Sequence, residues 1–118
     1  MPVLTKEQLL ATTPNLKVEK VAVPEWGDGA TVCVRELSGD ERDRYEQIVH
    51  ERDGNFVGLR AALVAIGLCD ESGEPMGFSE LEVEQLGSKG GGVIDRLFER
   101  VKTLSGMNAD AVEDAEKN

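Results

Sequence analysis

Aromatic side chains are scarce in this sequence. One Trp, one Tyr and three Phe make up 4% of its 118 residues, so a core has to be built from Leu, Val, Ile and Ala. Cysteine is nearly absent. Cys33 and Cys69 lie far apart with no spacing that marks a zinc site or a disulfide framework, and such thiols are expected to stay reduced. The one histidine, His50, sits in a charged segment and reads as a solvated surface residue. No apolar run approaches the roughly 20 residues that cross a bilayer. The opening MPVLTKEQLL has no basic leader followed by an apolar stretch, so a secretory signal is not expected. Positive charge is in deficit, with 13 Lys and Arg against 23 Asp and Glu and a net charge of -10. A phosphate backbone or an anionic membrane would be repelled, which excludes nucleic acid and membrane as direct partners.

What is present is a set of local structural signals. At this length, folding buries roughly 65% of the surface that the unfolded chain exposes, enough for a core without metals or disulfides. Thr5-x-x-Gln8, Ser38-x-x-Glu41 and Ser79-x-x-Glu82 each fit the capping box that opens a helix. Leu4 with Leu9 and Phe78 with Val83 add hydrophobic staples to the first and third. The first helix is short because Pro14 cannot continue it. Lys17 to Val23 and Ala30 to Leu37 read as strands, joined through Pro24-Glu25-Trp26-Gly27-Asp28-Gly29 into a β-hairpin. In the second strand Val32 and Val34 face one way, and Thr31, Cys33 and Arg35 the other.

Asp40 to Glu51 is a charged helix with Tyr45, Ile48 and Val49 inward, broken by Asp53-Gly54-Asn55. Phe56 to Leu68 carries only Arg60 as a charge and reads as a helix apolar around most of its circumference, hence central. Asp70 to Pro75 is an acidic turn, and a short helix follows Ser79 and ends near Gly87. The last helix places Val93, Ile94, Leu97, Phe98, Val101 and Leu104 on one face, with Gly106 as its C-terminal cap. Residues 1–107 are expected to form one domain. The stretch 108–118, acidic and poor in large apolar groups, reads as a disordered tail.

No constellation points to catalysis. Gly87 to Gly92 places glycines and Lys89 before a helix, but no Ser or Thr follows the lysine, so a hinge fits better than a phosphate cradle. Asp70 to Glu74 is too short and wrongly spaced for calcium. Abundant carboxylates without a pocket make no acid/base pair. No cofactor or metal is expected. Two features remain as candidates for contact with a partner or a second copy. The first is the face Val93, Ile94, Leu97, Phe98, Val101 and Leu104, which equally fits closure of the core, or a split with Leu97 and Val101 inward and Phe98 outward. The second is Trp26, either an exposed anchor or a ring folded back over the hairpin.

Four collinear segments carry a family resemblance. LTKEQLLA is similar to a short leading helix. VAVPEWGDGATVCVRELSGDERDRYE resembles a hairpin with a Pro-Glu-Trp-Gly turn entering an acidic helix. LVAIGLCDESGEPMGFSELEVEQLG and IDRLFERVKTLSGM are similar to the segments that close the domain. Together they resemble the tail assembly chaperones of long-tailed bacteriophages, from about Leu4 to Met107. Gly90-Gly91-Gly92 departs from the pattern. The resemblance implies a non-catalytic protein of the host bacterial cytoplasm, from a siphophage or an integrated prophage. It implies binding to the long helical tape measure protein, assistance to the major tail tube protein during virion morphogenesis, and absence from the finished particle. It also implies a longer form made by programmed frameshifting near Lys117.

Covering a long client with so small a protein requires many copies, so homo-oligomers are expected. The competing reading is an acidic adaptor or inhibitor, even a mimic of DNA charge, that binds a basic protein. The fold expected on either reading is α+β and mainly α, one antiparallel hairpin packed on four or five helices.

Overall fold

The computed structural model describes residues 2–13 and 15–107. The expected tail at 108–118 lies outside the described residues. In chain order the elements are α1 (Lys6–Ala11), β1 (Val18–Ala22), a 3-10 turn (Pro24–Trp26), β2 (Thr31–Arg35), α2 (Gly39–Arg52), α3 (Leu59–Gly67), β3 (Leu68–Cys69), α4 (Glu80–Gly87) and α5 (Gly91–Leu104). The fold is α+β and mainly α, as the sequence pattern implies. β1 and β2 form the expected antiparallel hairpin, with Val18 opposite Arg35 and Ala22 opposite Thr31. β3 adds a third strand on the far side of β2.

The three capping boxes start the helices where the sequence places them. Thr5, Ser38 and Ser79 each accept from the backbone N–H three residues on, and Gln8, Glu41 and Glu82 return the bond. At the other end of α5, Gly106 adopts φ 71°. Gly106 donates to Thr103 O at 3.2 Å and Met107 to Lys102 O at 2.8 Å. These are the two bonds of a Schellman closure.

The core lies between the sheet and the pair α3–α5. Leu63, Val64, Leu97, Val101, Val34 and Val23 are sealed within it. Helix α3 is buried along most of its length, as its composition requires. Its backbone comes so close to α5 that a Cβ on Gly67 would meet Val101 Cγ2 at 2.7 Å and Cγ1 at 2.9 Å. Only a residue without a side chain fits there.

The structure departs from the sequence reading in two places. Helix α3 starts at Leu59 rather than Phe56, because Gly58 sits at φ 81° and ends the preceding turn. Phe56 and Val57 therefore stand outside the helix, 73% and 76% exposed. The glycine run is no hinge along its length: Gly91 and Gly92 form the first turn of α5, with Gly90 as its N-cap. Each helical glycine costs about 1 kcal/mol relative to alanine, and the burial of Val93 and Ile94 one turn later offsets that. Cys33 and Cys69, distant in sequence, are register partners across β2 and β3, and both are buried free thiols, the reduced state expected of them.

Among the described residues Arg35 is the buried charge. It donates from Nη1 to Gly73 O at 2.9 Å and from Nη2 to the Glu41 carboxylate. Glu41 thus closes the cap of α2 and neutralises a buried guanidinium at once.

Replacing Gly67 with Ala should destabilise the protein by about 1–3 kcal/mol, because overpacking against Val101 outweighs the usual helical gain. Urea denaturation measures this. A neutral or stabilised Gly67→Ala would mean that α3 and α5 are not in this close contact.

Candidate interaction surfaces

Helix α5 has two sides with different work. Val93, Ile94, Leu97 and Val101 are buried, the last two completely, and they close the core. Phe98 and Leu104 are half-buried at its edge. Of the six residues on that face, four are thus enclosed within this chain. Phe98 lies beneath two cations, with Lys102 Nζ 4.9 Å and Arg60 Cζ 5.8 Å from its ring centre. Arg60 is also held by Asp95 at 2.8 Å. Such cation–π contacts contribute about 0.5–1 kcal/mol at an exposed site.

The flank of α5 away from Phe98 grips the hairpin with two arginines. Arg96 takes Glu25 in a bidentate pair at 3.0 and 2.6 Å and also donates to Ala22 O at 3.1 Å. Arg100 takes Glu19 at 2.6 and 2.9 Å. The planar guanidinium matches a carboxylate in this two-bond geometry, which a lysine cannot do. The hydrogen bonds from Arg96 hold the Glu25 carboxyl at about 2, well below its ordinary 4.5. Glu25 precedes Trp26 on the 3-10 turn, so this clamp also sets the position of the indole. Trp26 is half-buried and packs against the edge of the core.

The acidic turn after β3 is organised by its own side chain. Asp70 Oδ1 accepts from Ser72 N at 2.8 Å, Ser72 Oγ at 2.7 Å and Glu74 N at 3.0 Å. The Ser72 hydroxyl and these backbone donors lower the Asp70 pKa. The carboxylate serves the turn rather than a ligand. Among the described residues no group of three or more His, Cys, Asp or Glu is placed to hold a metal ion. Nor is any helix among them long and apolar enough to cross a membrane.

Exposed apolar surface is concentrated elsewhere, on segments that the sequence reading had not singled out as contacts. Helix α1 buries none of its residues. Val3 is 92% exposed and Leu10 73%, and Leu4 and Leu9 are about half exposed. Phe56 and Val57 flank a groove of about 300 Å³. It runs between the start of α3, the end of α4 and the start of α5, with Ala61, Gly87 and Ile94 in its lining. Met76 and Leu81 form a third exposed pair, beside Glu80 and Glu84. The signal for Phe56 and Val57 was available: turn-forming Asp53-Gly54-Asn55 followed closely by Gly58 leaves them no helix to join.

Comparison with known proteins gives a consistent result. The family profile described as phage tail assembly chaperone matches residues 5–118. Among solved structures the chain is similar to the tail assembly chaperone of bacteriophage HK97, at 31% sequence identity and a TM-score of 0.62. That match covers 84% of this chain and 90% of the HK97 chain. No curated protein sequence matches.

The Glu25–Arg96 clamp gives a pH signature. A carboxyl with a lowered folded pKa contributes stability above its unfolded value, and that contribution is lost as pH falls through the folded one. Glu25→Gln should therefore melt slightly below the parent at pH 7, by a small amount because the pair is exposed. The gap should close between pH 4.5 and about 2. A gap constant down to pH 2 in matched thermal melts would show that the pair contributes nothing through charge.

Proposed function

The chain belongs to the phage tail assembly chaperone family, and we propose that it acts by non-covalent coverage of the tape measure protein. That client is expected to be long, helical and poorly soluble until covered. A covering protein needs apolar surface to lend and enough charge to keep the complex dispersed. The observation that carries the reading is the coexistence of both here. Large apolar side chains on α1, at Phe56 and Val57, and at Met76 and Leu81 are exposed on a chain of net charge -10.

On this reading the protein works in the cytoplasm of the host bacterium during tail morphogenesis. It holds the tape measure protein while major tail tube subunits assemble around it, and it is absent from the completed particle. Several copies share the length of one client, so self-association accompanies the role. A longer frameshifted form would carry the same domain with an extension after Lys117. The work requires no chemistry on the client, and the proposal involves no catalytic step.

The test is co-expression with fragments of the tape measure protein, whose gene is expected next to this one. At least one fragment that is insoluble alone should move into the soluble fraction and co-elute with this protein. An unchanged insoluble fraction for fragments spanning the whole client would overturn the reading. Strong salt-sensitive binding to an unrelated basic protein, with no effect on the tape, would instead favour the acidic adaptor.

A further inference from the structure

Among the described residues, helix α1 is a capped helix that buries none of its side chains. Its capping box is closed from both sides, by Gln8 N to Thr5 Oγ1 at 3.2 Å and Thr5 N to Gln8 Oε1 at 3.0 Å. Yet it has 6 residues, none of them buried. Isolated helices shorter than about 12–15 residues are marginal in water. Its exposed leucines need a surface that the described residues of its own chain do not supply.

We infer that α1, with the residues before it, docks in the groove flanked by Phe56 and Val57 on a second copy of this chain. This gives the self-association proposed above its surface, and rests on that part of the reading. Two arguments select the second copy. The first is charge. Two molecules of net charge -10 repel, so they can meet only through surfaces that carry little of that charge. Residues 1–17 hold Lys6 and Lys17 against Glu7 and carry no net negative charge. The groove holds Arg60 and Lys89 against Asp95 and carries none either. The third exposed pair, Met76 and Leu81, is bordered by Glu80 and Glu84 and fits a basic partner better.

The second argument is area. Val3, Leu4, Leu9 and Leu10 on the arm and Phe56 and Val57 at the groove are all at least half exposed. At on the order of 100 Å² for each such side chain, one arm-to-groove contact covers about 600 Å², and two contacts per copy about 1,200 Å², the lower end of the range of a stable interface. Gly91 in the lining, with open space where a Cβ would stand, lets a helix backbone come close. Because arm and groove are different surfaces, copies can close as a reciprocal pair or pass arms around a ring.

The experiment is light scattering on the full chain and on two variants, Leu9→Asp/Leu10→Asp in the arm and Phe56→Asp/Val57→Asp at the groove. The parent should exceed the monomer mass of 12.8 kDa as concentration rises. Each variant alone should be monomeric, and should melt with the parent at dilutions where the parent is itself monomeric, because the altered residues are exposed. Mixed together, the two variants should form a one-to-one heterodimer, since the intact arm of one meets the intact groove of the other. A Leu10→Cys/Val57→Cys variant should form interchain disulfides under mild oxidation and dissociate on reduction.

A parent monomeric up to high micromolar concentration would overturn both this inference and the self-association reading. A parent that associates while either variant still does so, or variants that fail to pair when mixed, would overturn the arm-to-groove contact alone. Client solubilisation is scored separately and is untouched by either result.

Discussion

The approach of α3 to α5 is the constraint on which the remaining structure depends. Gly67 lets the two helices touch where Val101 would otherwise meet a side chain. That contact places Leu97 and Val101 over Leu63 and Val64, and these four are almost fully shielded from solvent. Since β3 follows α3 without a break, the helix position also sets where Leu68 and Cys69 meet β2. The sheet is then fixed from two directions. β3 pairs with β2 on one side, and Arg96 and Arg100 of α5 hold the β1 side through Ala22, Glu25 and Glu19. A small hairpin is marginal in water by itself, and here it is held at both ends by the same helix pair.

That arrangement decides which surfaces remain for partners. A helix with one strong apolar stripe has a single face to spend, and α5 uses Val93, Ile94, Leu97 and Val101 on its own core. Phe98 is left at the boundary, covered in part by the stems and charges of Arg60 and Lys102. Long basic side chains can shield an apolar ring while keeping their heads in water. The surfaces left uncovered belong to segments with no such shielding: α1, the loop before α3, and the start of α4. Phe56 and Val57 lie just outside an element boundary, where the chain turns at Gly58 and no helix takes them in, while Leu9, Leu10 and Leu81 lie on short helices that bury little of themselves.

How much of this was legible in the sequence follows from the range of the forces involved. The starts of α1, α2 and α4 were readable because a capping box is a contact across three residues, fully contained in the local sequence. The hairpin and the Gly106 closure were readable for the same reason. The start of α3 was misplaced because apolar composition runs smoothly from Phe56, while the break depends on the left-handed backbone of Gly58. The pairing of Cys33 with Cys69 was hidden, since it depends on where α3 delivers a two-residue strand. The stripe on α5 was visible, but periodicity reports that a face is apolar and not what covers it. The isolation of α1 left no trace, because its amphipathic pattern is that of any helix packed on a core.

The same isolation has an energetic consequence. Ordering a residue in a single backbone well costs roughly 1–2 kcal/mol, and α1 has only its capping box and few internal bonds to offset this. Any surface that receives α1 must supply the rest. Part of the gain from burying Leu4, Leu9 and Leu10 is therefore consumed in holding the helix, and affinity per unit area is lower than for two preformed faces. Contacts built from such a segment release readily, because loss of the partner also removes the reason for the helix. A covalent or deeply interlocked assembly would behave in the opposite way. For a protein proposed to coat its client during construction and to be gone from the product, reversible contacts of this kind suit the task better than the permanent packing that unites α3 with α5.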